Sequence, residues 1–362
     1  MENFFHQFKI FLALWDSIQK KDFGLQNKAV AKFEKSLAEY LGVKYVIAVA
    51  SGTDALILSL KAFDLGPGDE VIVPSVSAFS TAAAVRWVNA IPVFVDVRAG
   101  DMNIDSALIE AALTKKTKAV IPVHLNGKMA EMEIIRSIAD RNSLIVIEDA
   151  AQAIGSKYKD KPVGHYGEVA CLSFNPHKIL GTYDGGAVVT NNKEVAEKIF
   201  YIRTYGAHPK EIHRNHPLIG ISSRLSPLHA AILSEKLPGL SALVSHSRAN
   251  YFLYVKMLAD IGDWTVSQSP SDEHFINGHR FFFLTQRRDE LFPVLRKTYN
   301  RIRTDHTVPL PYFPVLNVKN YKRGDFPVAE KIANEAVFLP THYPLNLKDV
   351  EKISKAVQTG CV

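Results

Sequence analysis

The sequence predicts an α/β fold with a mostly parallel central sheet, followed by a smaller α+β domain. Three observations carry that expectation. Short runs rich in Val, Ile and Ala alternate with stretches at helical spacing through the first two thirds of the chain. The breaks between them are Gly, Pro and Ser clusters of loop type, without hairpin-type turns, so successive strands need crossover connections. After about residue 240 the rhythm changes, with a long helical stretch over 227–258 and sparser strand signals.

The elements follow in chain order. Residues 45–50 (YVIAVA) suit a buried strand, 51–54 (SGTD) break it, and 55–62 resume at helical spacing. A turn at 66–69 (GPGD) precedes a strand at 71–73 and a helix over 81–88. Strands follow at 92–97 (PVFVDV), 119–123 (AVIPV) and 144–147 (LIVI), with a helix over 129–141 before the last. Residues 170–172 and 187–190 (AVVT) read as two more strands. In the remainder, 281–284 (FFFL) reads as a strand, 289–299 and 350–357 as helices, and 267–279 as a polar loop. The division is a large domain over 1–243, with an N-terminal helix, and a small domain over 244–362. Phe4, Phe8, Phe11, Leu12 and Trp15 fall on one helical face, which suits docking on the body or on a partner subunit; membrane-surface binding is the alternative.

Composition narrows the function classes. The 362 residues are 47% hydrophobic and 22% charged, which excludes wholesale disorder and fibrous repeats. The net charge of +6 is dispersed, with no basic stripe, so no nucleic-acid partner is expected. Cys171 and Cys361 form no CxxC and no cluster at metal spacing, which argues against a disulfide framework and a metal site and for a reduced, cytoplasmic protein. No apolar run is long enough to span a bilayer, so no membrane partner is expected.

Three segments carry chemistry. Asp149 follows the buried run 144–147 and so stands at a strand's carboxyl end, where open α/β sheets bind ligands; a helix N-cap is the other reading. Lys178 lies between two strand candidates and before the glycine-rich turn 181–186 (GTYDGG), an unusual setting for a freely solvated lysine. Residues 51–54 open a helix, where backbone N–H groups and the dipole favour a phosphate, with simple capping as the alternative. A phosphate cradle, a carboxylate and a lysine on loops of one sheet are what pyridoxal 5′-phosphate requires. The lysine condenses with its aldehyde, the carboxylate keeps the ring nitrogen protonated, and the helix N-terminus takes the phosphate.

The chain resembles the DegT/DnrJ/EryC1/StrS sugar aminotransferases from about residue 25 to the end. The matching stretches include 51–56 (SGTDAL), 66–74 (GPGDEVIVP), 147–154 (IEDAAQAI), 173–178 (SFNPHK), 184–191 (DGGAVVTN) and 324–330 (GDFPVAE). The resemblance implies a fold-type I pyridoxal-phosphate enzyme. In that pattern Lys178 is the cofactor-binding lysine, Asp149 the partner of the ring nitrogen, and Gln152 a neighbour of the phenolic oxygen. Gly52, Thr53 and Ser173 are phosphate ligands. The ring-stacking aromatic of the pattern falls at Ala78, so Phe79 is the candidate to cover the ring after a local shift, a cofactor without an aromatic cover being the alternative. Ser222 replaces the usual asparagine as a phosphate donor, and Arg224 lies in the segment that a neighbouring subunit supplies.

The expected reaction moves an amino group from L-glutamate to the keto group of a nucleotide-linked deoxy sugar, for surface polysaccharide or glycoconjugate synthesis, in a homodimer. Arg224 and His306 are candidates for the diphosphate, an ordinary loop histidine being the alternative for His306. The six positions from Lys178 to Asp184 lean toward amination at C4 rather than C3. Two other readings are a sugar dehydratase, which would carry histidine at the lysine position, and a non-catalytic or regulatory member of the fold.

Overall fold

The computed structural model describes residues 27–208, 214–259 and 271–360, together with 12, 212 and the backbone of 265–266. Phe4, Phe8, Phe11 and Trp15 of the N-terminal apolar face lie outside the described residues, as does Cys361.

Helix α1 (Lys28–Leu41) starts at Asn27, whose side chain accepts the N–H groups of Ala29 and Val30, and ends at Gly42 in the left-handed region, φ 68°. Strand β1 (Tyr45–Val49), helix α2 (Gly52–Ala62), strand β2 (Glu70–Pro74), helix α3 (Phe79–Trp87) and strand β3 (Ile91–Val95) follow. Next come β4 (Thr117–Val120), α4 (Met132–Asn142) and β5 (Ile145–Asp149). A small hairpin, β6 (Lys157–Tyr158) and β7 (Lys161–Pro162), leads to β8 (Val169–Ser173), β9 (Gly186–Thr190) and helix α5 (Lys193–Ile202).

The main sheet has seven strands in the order β1-β9-β8-β5-β4-β2-β3. All are mutually parallel except β9, which runs antiparallel to both neighbours. Alternate residues of each strand enter different cores. Ile47, Val71, Val73, Ala119 and Ile147 join the core that contains α2, α3 and α5, whereas Val46, Ile72, Val120 and Val146 join the one that contains α1 and α4. Burial on both faces explains why these strands read as continuous apolar runs. It also leaves the carboxyl edge of the parallel strands as the place for polar loops.

The helical stretch expected over 227–258 is two helices, α6 (Pro227–Lys236) and α7 (Leu240–Met257). A 3-10 turn at Leu237–Gly239 separates them, since Pro238 cannot donate to a continuing helix. The 243/244 division falls inside α7. Beyond it, β10 (Thr265–Val266), β12 (Arg280–Leu284) and β13 (Ala336–Pro340) form an antiparallel sheet, while β11 (His274–Phe275) joins β6 in another. Helices α8 (Arg288–Thr298), α9 (Pro327–Glu335) and α10 (Leu347–Thr359) complete this part. Phe281 and Phe283 pack into its own core with Leu291, Val337 and Ile353, while Phe282, Leu284 and Phe338 reach the core of the large body. The FFFL run is therefore a joint, apolar on both faces, and it fixes Arg280 at its start beside the carboxyl edge of the main sheet.

Candidate active site

At that edge a cavity of about 420 Å³ is lined by Gly52, Thr53, Asp149, Gln152, Ser173 and Lys178, with Ser77, Ala78, Asn175, His279 and Arg280 closing it. Six of the residues singled out in the sequence thus converge, although up to 126 positions separate them (52 to 178).

Asp149 is the last residue of β5 and is buried. One carboxylate oxygen accepts the Thr81 hydroxyl at 2.8 Å and the other the Ala151 N–H at 3.2 Å. Burial pushes its carboxyl up, against those two hydrogen bonds and the charges of Lys178 and His124. Such a group gains from a cationic N–H partner in the cavity. Behind it, the buried Glu148 accepts His124 Nε2 at 3.0 Å and the N–H groups of Gly164, Tyr166 and Gly167. Because His124 Nδ1 accepts the Ala130 N–H at 3.2 Å, the proton sits on Nε2 and is donated to Glu148.

Lys178 lies on the loop between β8 and β9. The loop is closed by Phe174 N–H to Gly185 O at 2.8 Å and Thr182 N–H to Phe174 O at 2.8 Å, and the Lys178 N–H donates to Asn175 O at 2.9 Å. Lys236 of α6 holds it from outside through a 2.6 Å bond to Gly181 O. Burial pushes the Lys178 ammonium down to about 8, with Arg280 adding to the shift and Asp149 opposing it. A substantial neutral fraction near pH 8 makes its Nζ a nucleophile and a proton carrier.

Helix α2 opens into the cavity. The Ser51 hydroxyl accepts the Asp54 N–H at 3.0 Å, so it caps the helix, and the first-turn N–H groups of Gly52 and Thr53 remain for an anion. Close approach sets the glycines. A Cβ on Gly52 would lie 2.8 Å from Ser173 Cβ, and one on Gly186 would lie 2.3 Å from Ser51 O. Gly186 thus lets β9 pass directly behind the phosphate cradle.

Other expected site residues lie elsewhere in this chain. Phe79 does not cover the cavity. It starts α3, is 45% exposed and packs edge-on against Phe313 at 5.3 Å, because the turn into the helix points Ala78, not its neighbour, inward. His306 also stays out of the cavity wall; its Nδ1 bonds Ser77 O at 3.1 Å and its ring meets Phe338 edge-on at 5.6 Å, so it props the 75–79 turn from behind. Burial pushes it down to about 4. Ser222 and Arg224 lie beside the cavity rather than in it. Between them Ser223 donates to Asp54 at 2.7 Å, and Arg224 sits over the Tyr205 ring at 5.2 Å.

The DegT/DnrJ/EryC1/StrS aminotransferase family model matches residues 9–358. The chain belongs to this family. A Geobacillus stearothermophilus relative called pleiotropic regulatory protein is 41% identical over 94% of this chain and 92% of its own. The dTDP-3-amino-3,4,6-trideoxy-α-D-glucose transaminase of Micromonospora megalomicea subsp. nigra is 36% identical over 92% of this chain and 89% of its own. Among solved structures, Streptomyces venezuelae DesV in complex with a ketimine intermediate superposes with a TM-score of 0.92 at 33% identity, covering 98% of this chain and 95% of that one. The protein is a pyridoxal-phosphate-dependent sugar aminotransferase with the corresponding α/β fold. The residues present fit the cofactor: a buried carboxylate, a lysine of lowered basicity and a helix N-terminus share one cavity.

Sequence reading missed Thr81, His279 and Arg280. Thr81 becomes a partner of Asp149 only once α3 packs on β2 and β3 and its first turn reaches the end of β5. Arg280 carried one signal, a charged residue opening an otherwise aromatic strand.

Proposed function

We propose that the protein transfers the amino group of L-glutamate to the keto group of a nucleoside-diphosphate-linked deoxy sugar, in the cytoplasm, for surface polysaccharide or glycoconjugate synthesis. The observation that carries the reading is the convergence of Lys178, Asp149 and the α2 N-terminus on one cavity. The name of the Micromonospora relative supports a nucleotide-sugar acceptor. We take C4 as the aminated position from the short interval between Lys178 and Asp184; the 3-amino position in that relative's name is the alternative.

When bound, the cofactor supplies an aldehyde that captures amines and a ring that takes up the electron pair released at the donor's α-carbon. Lys178 is the residue that would hold the cofactor's aldehyde carbon, and its Nζ would carry the α-proton of the donor. Asp149 would hold the ring nitrogen's proton, and its burial would strengthen that ion pair. Gly52, Thr53 and Ser173 hold the phosphate, and Gln152 flanks the ring while its Oε1 accepts the Asn126 N–H at 2.8 Å. His279 and Arg280 complete the cavity wall beside Lys178.

The protein works as a homodimer in which the 219–224 segment of one copy completes the phosphate site of the other. Ser222 and Arg224 line no part of their own cavity, and Ile219 beside them is 97% exposed. The test is an assay of 3-keto and 4-keto nucleotide sugars with glutamate, alongside a size measurement. Amination of a 4-keto sugar by a dimer is expected; turnover by a monomer, or none with any keto sugar, contradicts the reading.

A further inference from the structure

A second pocket of about 690 Å³ adjoins the lysine cavity, with His177 and Arg280 lining both. Its polar wall comes from three places: Arg280 at the start of β12, Arg301, Arg303 and Asp305 on the segment beside β13, and His342 just after β13. Three guanidinium groups face one carboxylate, leaving a surplus of two positive charges. Asp305 is committed to Arg280 by an ion pair, whereas among the described residues Arg301 and Arg303 make no ion pair and both are exposed.

The remaining polar groups do not offset that charge. His177 is pushed down by burial and then by Arg303, Arg280 and Arg301. His342 is pushed down to about 4 by burial and then by Arg280 and Arg301, and its Nδ1 is buried without a partner among the described residues. Both imidazoles are therefore neutral, and both can donate or accept a hydrogen bond. Unpaired, exposed arginines around a concave wall match the fork geometry of phosphate oxygens.

We propose that this pocket is the diphosphate subsite of the acceptor, with Arg301 and Arg303 as its ligands and Arg280 as the wall shared with the lysine cavity. The assignment rests on the nucleotide-sugar reading above. A sugar whose keto carbon faces Lys178 leaves that cavity through its anomeric phosphate, and the arginine pocket is the adjoining volume. Two phosphate charges balance the surplus of two, and the larger volume leaves room for the nucleoside. A single carboxylate, from the donor or from an acidic sugar, would leave one arginine unbalanced.

The experiment is calorimetric titration of the pyridoxal-phosphate-loaded protein with UDP, dTDP and GDP, each compared with its nucleoside. At least one diphosphate is expected to bind at least about tenfold more tightly than its nucleoside, and to weaken as salt rises. In Arg301→Gln/Arg303→Gln the diphosphate is expected to bind about ten- to hundredfold more weakly, with nucleoside binding retained. Arg301→Lys/Arg303→Lys should recover part of the loss. The visible cofactor band reports an intact fold. Unchanged diphosphate binding in the double Gln variant overturns the assignment. So does a slowed half-reaction with glutamate in that variant, which would give the pocket to the donor's carboxylate. If the unaltered protein converts its cofactor with glutamate yet binds none of the three diphosphates, the nucleotide-sugar reading itself fails.

Discussion

The lysine cavity and the arginine pocket share a wall but differ in how they are built. The first is made from the carboxyl ends of parallel strands and the loops directly after them, so each functional group follows a strong local signal: Asp149 at the end of β5, Lys178 after β8, Gly52 and Thr53 after β1. The second draws Arg280 from the start of β12, Arg301 and Arg303 from the segment beside β13 and His342 from the turn after β13, none at a repeated structural position. The strands dictate where the first site lies. Tertiary packing alone brings the second together, and this is where substrate selection can vary without disturbing the chemistry.

Substitutions separate the two regions, and the largest effect belongs to the shared chemistry. Lys178→Ala is expected to lower turnover by at least about 10⁴-fold, because one group supplies both nucleophile and proton carrier. Steady-state assay with glutamate and the accepted keto sugar checks this, and both half-reactions should fail together. Substitutions in the arginine pocket, by contrast, should act on the sugar alone.

Glu148→Gln tests the frame behind the lysine cavity. It removes the charge of a buried carboxylate that serves His124 and three backbone N–H groups, and should cost about 3–5 kcal/mol in thermal or denaturant unfolding. Burial pushes this carboxyl up, but His124 and the Gly167 and Gly164 N–H groups together outweigh it, so its net position is below the ordinary 4.5. Its stabilisation is therefore present above that ordinary value and is lost as pH falls through the lower folded one. The variant should lose that part of the acid sensitivity.

Asp149→Asn leaves an acceptor for Thr81 but removes the negative charge. We expect the half-reaction with glutamate, followed by stopped-flow absorbance, to slow about 10²- to 10³-fold. Gly52→Ala is milder. Its Cβ would meet Ser173 Cβ at 2.8 Å, and the resulting shift should weaken the phosphate cradle by about 1–3 kcal/mol, seen as lower cofactor affinity in equilibrium dialysis.

Much of the main sheet was legible because strands buried on both faces must be apolar along their length: YVIAVA, VIV and LIVI each mark a strand of it. The antiparallel course of β9 was not, since AVVT carries no mark of direction. Helices α1, α5 and α9 escaped the reading because their apolar residues are spread among charges and show their face only in the packed structure, whereas strand β13 was passed over although its run AVFLP is apolar throughout and buried. Within the site, Lys178, Asp149 and Gly52 stood out through residue type and place. Phe79 lies off the cavity wall because one residue's rotation at the start of a helix decides between cavity and surface, and no local pattern fixes it. Arg280 and Arg303 stayed hidden because an isolated arginine in a loop is ordinary until others face the same void.

Borohydride reduction of the pyridoxal-phosphate-loaded protein, with peptide mapping by mass spectrometry over a pH series, tests the central assignment most directly. A single phosphopyridoxyl label on the peptide holding Lys178 is expected. When cofactor is added to the stripped protein, its capture should quicken as pH rises toward about 8 and level off above, since only the neutral amine attacks. A label on another lysine, or none while the cofactor stays bound, would contradict the account.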